Sequence, residues 1–317
     1  MGSATFALPS LNSIFEAGHT VAGVITQPDK PSGRGQVLQG PPVKKRAYDL
    51  HLPTYQPASL KADEARQLFE ALAPELVVVV AYGKILPPWL LRLPKYGCIN
   101  LHGSLLPRFR GAAPVHWAVA NGEEKTGVCT MLLDEGLDTG PVYLSEETPI
   151  GPDETVTQLY DRLAVLGAPL VVRTIEGIVD GNLKAMPQDD ARATLAPILK
   201  KKDGFLDWTW SSGQIHNRVR ALNPWPGTVA GFRDKVYKIL ATATGSSGSE
   251  GNAEPGTLMA SKGRLLVICG DRLPIEILKI QPENKNAISG KDFVNGARIQ
   301  PGEKFETVKD NGPDVRT

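Results

Sequence analysis

Apolar residues recur at helical spacing in some segments of the chain and at strand-like spacing in others. The pattern predicts a short helix over residues 8–18, which ends on a glycine, and a second helix over 61–73. Residues 155–180 carry apolar side chains at the same spacing and predict a long helix. Strands are predicted at residues 19–26, 75–82, 97–101 and 126–133.

Helices and strands alternate through the first two thirds of the chain. The run over 75–82 is continuously apolar, as is typical of a parallel strand that is covered on both faces. We therefore predict an α/β fold, with a Rossmann-like, open and mostly parallel sheet. From Gly227 onward, short β-like pieces at 235–240 and 264–269 are separated by glycines and prolines, which predicts a small OB-like β-barrel.

The composition of the sequence changes after Gly181, where prolines and charged residues replace the regularly spaced apolar residues. This change predicts an N-terminal domain over 1–183, a linker over 184–206 and a C-terminal domain over 207–317. With 317 residues, the chain exceeds what one hydrophobic core usually organises.

Composition excludes several classes of protein. The chain has 35 Lys and Arg residues against 34 Asp and Glu residues, so any contact with RNA must come from a local patch. Its 3 cysteines are far apart and form no CxxC pair, which argues against a disulfide framework and against a metal site and favours the cytoplasm. The longest apolar run is too short to cross a bilayer, so no membrane partner is expected.

Asn100 and His102 lie two residues apart on a predicted strand, so their side chains point to the same face. At the carboxyl end of a parallel strand, an amide can stabilise an oxyanion and an imidazole can move a proton. The alternative is an ordinary polar pair that ends a strand.

The loop over 134–140 supplies carboxylates after another apolar strand. Asp138 could orient His102 or relay a proton through water. Aspartates also commonly start turns, so a purely structural role for Asp138 remains open.

The segments 100–114 (NLHGSLLPRFRGAAP) and 137–140 (LDTG) resemble the 10-formyltetrahydrofolate-dependent formyltransferase superfamily. The closest resemblance is to the branch whose acceptor is methionyl-tRNA, and it rests on residues 26–35, 42–44, 81–87 and 223–227. The similarity extends from about Phe6 to about Phe305.

The resemblance implies a formyl transfer from 10-formyltetrahydrofolate to the α-amino group of initiator methionyl-tRNA, without a metal. Asn100 would polarise the formyl oxygen, and His102 would assist the attack of the amine. Asp138 would set the state of His102 and relay the proton. Removing an oxyanion donor costs on the order of 10²–10³ in rate in other acyl transfers.

The resemblance also implies a folate site. Its turn would be formed by Ser104, Leu105, Leu106 and Pro107. The walls of the pterin pocket would come from Tyr82, Ile85 and Leu86. For Leu105, Leu106 and Ile85, simple core packing is the alternative.

A basic loop over 29–45 is the expected tRNA contact. It carries Lys30, Arg34, Lys44 and Lys45 among glycines and prolines, and Arg34 matches the arginine of the family's tRNA-binding insertion. A solvated charge run is the alternative. The C-terminal domain would bind tRNA as well, although acidic residues dilute its lysines.

The beginning of the chain departs from the family, whose members open with an apolar central strand that ends in Gly-Thr-Pro. Residues 1–5 (MGSAT) stand in its place here. Losing about five buried side chains would remove roughly 8–15 kcal/mol, as much as the ~5–15 kcal/mol that stabilises a whole domain. We therefore expect that the first strand is lacking, that two central strands are left unpaired, and that the chain as written is aggregation-prone or inactive.

Two other functions remain open. One is a folate-dependent formyl transfer to a sugar-nucleotide amine or to water, and the other is an inactive folate- or RNA-binding remnant. We expect a monomer in each case.

Overall fold

A computed structural model describes residues 1–32, 37–245 and 253–308 of the chain. Its helices are α1 (Leu8–Glu16), α2 (Pro42–Asp49), α3 (Asp63–Leu72), α4 (Pro88–Arg92), α5 (Pro114–Ala120), α6 (Val156–Val179), α7 (Ser212–Leu222) and α8 (Gly290–Ala297). Its strands are β1 (Val24–Ile25), β2 (Lys30–Ser32), β3 (Val37–Gln39), β4 (Thr54–Tyr55), β5 (Val77–Val79), β6 (Cys98–His102), β7 (Lys125–Leu132), β8 (Val142–Pro149), β9 (Thr228–Phe232), β10 (Lys235–Ala243), β11 (Leu258–Ser261), β12 (Arg264–Ile268), β13 (Pro274–Pro282) and β14 (Ile288–Ser289). In the described ranges, no helix combines the length and the apolar character needed to cross a bilayer.

The chain divides into two compact units. The first comprises 1–115, 125–149 and 157–197, and the second comprises 116–124, 150–156 and 198–317. Residues 184–197, which the sequence assigns to a linker, thus belong to the first unit.

The helices predicted in the first unit are confirmed. The expected segments 8–18, 61–73 and 155–180 correspond to α1, α3 and α6. Side chains of Phe69 on α3 and Val77 and Val79 on β5 are buried in one cluster, which gives this face of the sheet its core.

The main sheet of the first unit has the strand order β5-β6-β7-β8. Strands β5 and β6 are parallel, whereas β7 is antiparallel to both β6 and β8. A Rossmann-like sheet that contains parallel strands is therefore confirmed, since β1 and β4 also pair in parallel, but the sheet is mixed because of β7 and β8. The short connection over 133–141 reverses the chain between β7 and β8, because parallel neighbours need a crossover of a dozen residues or more.

The second unit is built on antiparallel strands in the order β11-β12-β13-β10-β9, with β14 paired to β13. Its core includes Trp208 and Phe305, whose rings stack at 5.5 Å between centroids. Strands β9 and β11 are the edges of this ladder, and they meet residues Glu306 and Lys304 only through isolated bridges. A β-rich unit is thus confirmed, but the expected closed barrel is not.

Residues Met1–Ser3 lie between β1 and β5 of the first unit. Gly2 forms a parallel bridge with Val80, and its backbone N–H donates to the Ile25 carbonyl at 3.0 Å. The Met1 ammonium donates to the Val78 carbonyl at 2.6 Å. Contrary to the expectation of two unpaired central strands, this short segment pairs with both of them at one end.

A cavity of about 520 Å³ lies beyond Met1. It is lined by residues 19–25 and 73–78, together with side chains of α1 and the last turns of α6. Ser10 and His19 line it, and the buried Ser10 Oγ and His19 Nε2 have no hydrogen-bond partner within the described ranges. Only Val24–Ile25 of the strand predicted over 19–26 forms, because a strand needs a neighbour to satisfy its backbone groups.

We expect that five β-branched apolar residues fused ahead of Met1 will stabilise the protein by continuing the Met1–Ser3 segment into the cavity. Burying two such side chains contributes ~3–6 kcal/mol, or an increase in Tm of about 6 °C or more. The measurement is the thermal unfolding midpoint, and the control is a five-residue Gly/Ser extension. Equal midpoints for the two extensions would contradict this expectation.

We also expect stability to fall when the pH is lowered from 8 to 6. Burial lowers the pKa of the Met1 amino group from 8.0 to about 6. Between these values the unfolded chain binds a proton that the folded chain does not, so the stabilisation is complete above pH 8 and decreases toward pH 6. A pKa lowered from 8.0 to about 6 at the Met1 amino group corresponds to roughly 3 kcal/mol in the free energy of unfolding.

The measurement is chemical denaturation at both pH values. Burial also lowers the pKa of His116 and of His216, which act in the same direction, so the control is the N-terminally acetylated chain. The same pH dependence with and without acetylation would refute the role of Met1.

Candidate active site

Strand β6 carries Asn100 and His102 between its two neighbours. Asn100 stands opposite Val79 on β5 and Met131 on β7, and His102 stands opposite Cys129 on β7. Asn100 is half-buried, and its side-chain amide has no hydrogen-bond partner among the described residues. An amide in this position can donate to an oxygen of a bound molecule.

The imidazole of His102 is buried, with 5% of its surface exposed. Its Nε2 lies 2.9 Å from the carbonyl oxygen of Phe109. A carbonyl only accepts, so Nε2 carries a proton and donates it. In the neutral ring this leaves Nδ1 as the basic atom. Nδ1 lies 3.7 Å from Oδ2 of Asp138. This distance is too long for a hydrogen bond, but it allows the carboxylate to attract the ring once the ring is protonated.

Asp138 belongs to the loop between β7 and β8, which folds back over β6. Its backbone is in the left-handed region, with φ of 53°. Its Oδ2 accepts a hydrogen bond from the Gly111 N–H at 2.8 Å. Asp134 of the same loop accepts from the Gly136 N–H and the Thr139 hydroxyl, so it stabilises the turn. Asp138 is therefore the acid of this loop that reaches His102.

The loop after β6 is held by contacts from a distant segment. Phe109, with φ of 60°, donates its N–H to Thr194 Oγ1 at 2.8 Å. The Arg110 N–H donates to the Thr194 carbonyl at 2.8 Å, and the Ala196 N–H donates to the Arg110 carbonyl at 2.7 Å. Residues 186–196, which we call the strap, thus run along the loop that carries the Phe109 carbonyl.

The strap lies in the stretch whose local composition predicts a linker. Its residue Gln188 binds both the side chain of Arg110 and the backbone of Asp138. Nothing in the local pattern around Gln188 predicts these contacts, because its partners are 50 and 78 residues away. Arg110 stands inside the motif that carries the family resemblance, but no role followed from that.

The structure places the expected folate residues in different environments. Tyr82 and Leu86 are 1% and 8% exposed and belong to the core cluster with Phe69, and their role as walls of the pterin pocket stays a prediction. Burial raises the pKa of Tyr82, whose hydroxyl has no hydrogen-bond partner among the described residues. Ile85, in contrast, is 88% exposed.

In the turn after β6, the Ser104 hydroxyl donates to the Arg108 carbonyl at 2.7 Å, which stabilises the turn itself. Leu105, Leu106 and Pro107 are half-buried. A role of these four residues toward folate stays a prediction.

The lysines expected to bind tRNA also lie in different environments. Lys44 Nζ lies 2.9 and 2.8 Å from the two oxygens of Asp29. Hydrogen bonds from Lys44 and then Gln56 lower the pKa of Asp29. Lys30 and Lys45 are exposed, and their side chains have no partner among the described residues. Arg34 lies outside the described residues.

The described residues offer neither a reactive thiol nor a cluster of metal ligands. Burial raises the pKa of the Cys98, Cys129 and Cys269 thiols to about 12, so none of them is a ready nucleophile. Within the described ranges, no cluster of His, Cys, Asp and Glu side chains could hold a metal ion.

Comparison with known proteins identifies the family. Residues 1–175 match the formyl transferase family, and residues 198–298 match the formyl transferase C-terminal domain. The chain therefore belongs to the formyl transferase family.

Relatives named methionyl-tRNA formyltransferase match nearly the whole chain, and two of them serve as examples. The protein of Acidobacterium capsulatum is 45% identical over 304 residues, which cover 95% of this chain and 96% of the relative. That of Koribacter versatilis is 46% identical over 306 residues, with 96% of each chain covered.

The fold is also similar to that of a solved N-formyltransferase from Helicobacter canadensis, described in complex with folinic acid and dTDP-3-aminofucose. The TM-score is 0.65 and the identity is 18%, over 89% of this chain and 97% of that chain. At this identity the likeness concerns the fold.

Proposed function

We propose that the protein transfers a formyl group from 10-formyltetrahydrofolate to the α-amino group of initiator methionyl-tRNA. The observation that carries this proposal is the arrangement of Asn100, His102 and Asp138 at one end of β6, with the Asn100 amide unpaired. It occurs in a chain that is 45% identical to a methionyl-tRNA formyltransferase over nearly its whole length.

In this reaction the α-amino nitrogen attacks the formyl carbon, and the bond from that carbon to N10 of the folate breaks. One proton leaves the attacking nitrogen, and one is delivered to N10. Asn100 donates its amide hydrogen to the formyl oxygen, where negative charge develops. The reaction needs no covalent enzyme intermediate, since positioning and charge stabilisation act directly on the two substrates.

His102 handles the proton. Its Nε2 is committed to the Phe109 carbonyl, so Nδ1 is the atom that takes a proton from the amine and returns it to the leaving nitrogen. The imidazolium formed in between is stabilised by the Asp138 carboxylate, 3.7 Å away.

The folate is proposed to bind beside the turn over 104–107, with Ile85 as an exposed apolar contact. The exposure of Ile85 supports this choice. An apolar side chain that is 88% exposed gains favourable free energy when a planar ring covers it.

The tRNA is proposed to bind Lys30 and Lys45 near the β2–β3 hairpin, together with Arg34. Lys30 on β2 and Lys45 on α2 are exposed and have no partner among the described residues, which favours contacts with phosphates. We further propose that the β-rich C-terminal unit is OB-like and contributes to tRNA binding. The domain boundaries at 183 and 207, the monomeric state and a cytoplasmic location stay predictions, and light scattering would test the monomer.

The two alternatives are less well supported. The sugar N-formyltransferase from Helicobacter canadensis is 18% identical, against 45–46% for the relatives named for methionyl-tRNA. An inactive remnant would bind folate or tRNA without turnover, so an activity assay separates it from the proposed enzyme.

We expect formylation of charged initiator methionyl-tRNA by the wild-type chain and a loss of about 10²–10⁴-fold in His102→Ala, because the proton acceptor is removed. Asn100→Ala should lose about 10²–10³-fold. The measurement is the rate of formylmethionyl-tRNA formation from 10-formyltetrahydrofolate. The control is His51→Asn, at an exposed position with φ of 56° that asparagine tolerates. No product from the wild-type chain would refute the proposal.

We expect Lys45→Ala and Lys44→Ala to differ in the salt dependence of tRNA binding. The slope of log K against log salt should decrease by about 0.7–0.9 in Lys45→Ala, because one phosphate contact is lost. Lys44→Ala should leave the slope unchanged, since its ammonium is paired with Asp29. Binding isotherms between 50 and 200 mM salt, roughly the range over which such contacts are screened, would measure both. Equal slope changes would contradict this assignment.

A further inference from the structure

We propose that Gln188 and Arg110 are positioning residues for Asp138, and that the strap over 186–196 thereby sets the geometry of the His102–Asp138 pair. This inference rests on the proposed function only in giving Asp138 a catalytic role.

Asp138 needs external support. It lies in a loop whose neighbouring residues 134–137 and 139 are exposed, and its own backbone is left-handed. Such a conformation is disfavoured for a residue with a Cβ atom and persists where surrounding contacts hold it. Two contacts reach Asp138 from outside its loop and hold it firmly. The Gly111 N–H binds the carboxylate, and Gln188 Nε2 binds the backbone carbonyl at 2.8 Å.

The amide of Gln188 uses all of its hydrogen-bonding capacity in this arrangement. Its Nε2 donates to the carbonyls of Asp138 and Gly140, at 2.8 and 2.7 Å. Its Oε1 accepts from Nε and Nη2 of Arg110, at 3.0 and 2.8 Å. Rotating the amide by half a turn would set its oxygen against two carbonyls and its NH₂ against the guanidinium. Arg110 therefore dictates which end of the amide faces Asp138.

Arg110 is itself held in place. It is 7% exposed, and its Nη2 also donates to Asp190 on the strap at 2.7 Å. The backbone of Arg110 is bonded to the strap residues Thr194 and Ala196. Its guanidinium and its main chain are thus bound to the same segment.

Arg110 lies between two residues of which one binds His102 and the other binds Asp138. The residue before it, Phe109, supplies the carbonyl that binds His102 Nε2. The residue after it, Gly111, supplies the N–H that binds the Asp138 carboxylate. A displacement of Arg110 or Gln188 would therefore change the position of Asp138 relative to His102 without touching either substrate.

The test is Gln188→Met, which keeps the length of the side chain and removes all four hydrogen bonds. We expect kcat for formyl transfer to fall, by up to about 10²-fold for a displacement near 1 Å, while KM for both substrates stays unchanged. Hydrogen exchange at the Gly111 amide reports the Asp138 carboxylate directly and needs no substrate. Its protection should fall about tenfold or more, whereas protection in α3 should not change. The matched control is Gln67→Met, at an exposed position on α3.

Gln188→Glu is a second variant of the same shape, in case the first does not fold. It keeps the acceptors for Arg110 and replaces the two Nε2 donors by an oxygen that repels the carbonyls of Asp138 and Gly140. It should therefore lose Gly111 protection as well.

Wild-type kcat with wild-type protection at Gly111 would overturn the proposal, as would a fall in kcat that leaves this protection intact. If the wild-type chain forms no formylmethionyl-tRNA, the proposed function fails, but the exchange measurement still decides whether Gln188 positions Asp138.

Discussion

The hydrogen bond from the Gly111 N–H to the Asp138 carboxylate connects the two loops on which the site depends. One loop follows β6 and fixes His102 through the Phe109 carbonyl, and the other connects β7 to β8 and carries the acid. A hydrogen bond to a charged group contributes about 1.5–3 kcal/mol, enough to offset the ~1–2 kcal/mol cost of the left-handed conformation at Asp138. The site is therefore formed by two loops that stabilise each other through this hydrogen bond. Both loops follow strands of the sheet.

The mixed sheet makes this arrangement possible. Since β8 runs antiparallel to β7, the chain turns back after Leu132 in a short loop, and Asp138 of that loop lies close to His102 on β6. On the other side of β6 the pairing with β5 is parallel, and β5 in turn meets the Met1–Ser3 segment. The cavity beyond Met1 lies between β1 and β5, so it affects the stability of the first unit more directly than the geometry of the site.

The strap has the local composition of a connector, but its residues bind the loops of the site. It lies in the first compact unit up to Pro197, and the family match resumes at residue 198. Thr194 and Ala196 bind Arg110 through backbone groups, and the Thr194 hydroxyl oxygen also accepts from the Phe109 N–H. Gln188 and Arg110 add side-chain bonds that few other residue pairs could make. The strap thus holds the loops that carry Asp138 and the Phe109 carbonyl in place.

Sequence patterns were sufficient for several elements and for the placement of Asn100 and His102 on one strand. The helical spacing over 155–180 predicted α6, the apolar run over 75–82 predicted β5, and Asn100 and His102 were placed on one face of β6. These features depend on the periodicity of neighbouring residues, which a sequence displays directly.

The direction of β7, the burial of Tyr82 and the pairing of Lys44 with Asp29 could not be predicted in this way. Neither could the bond between Gln188 and Asp138, which joins residues 50 positions apart. Each of these outcomes depends on which distant groups meet when the core closes. Periodicity within one segment does not contain that information, so only the packed tertiary structure decides it.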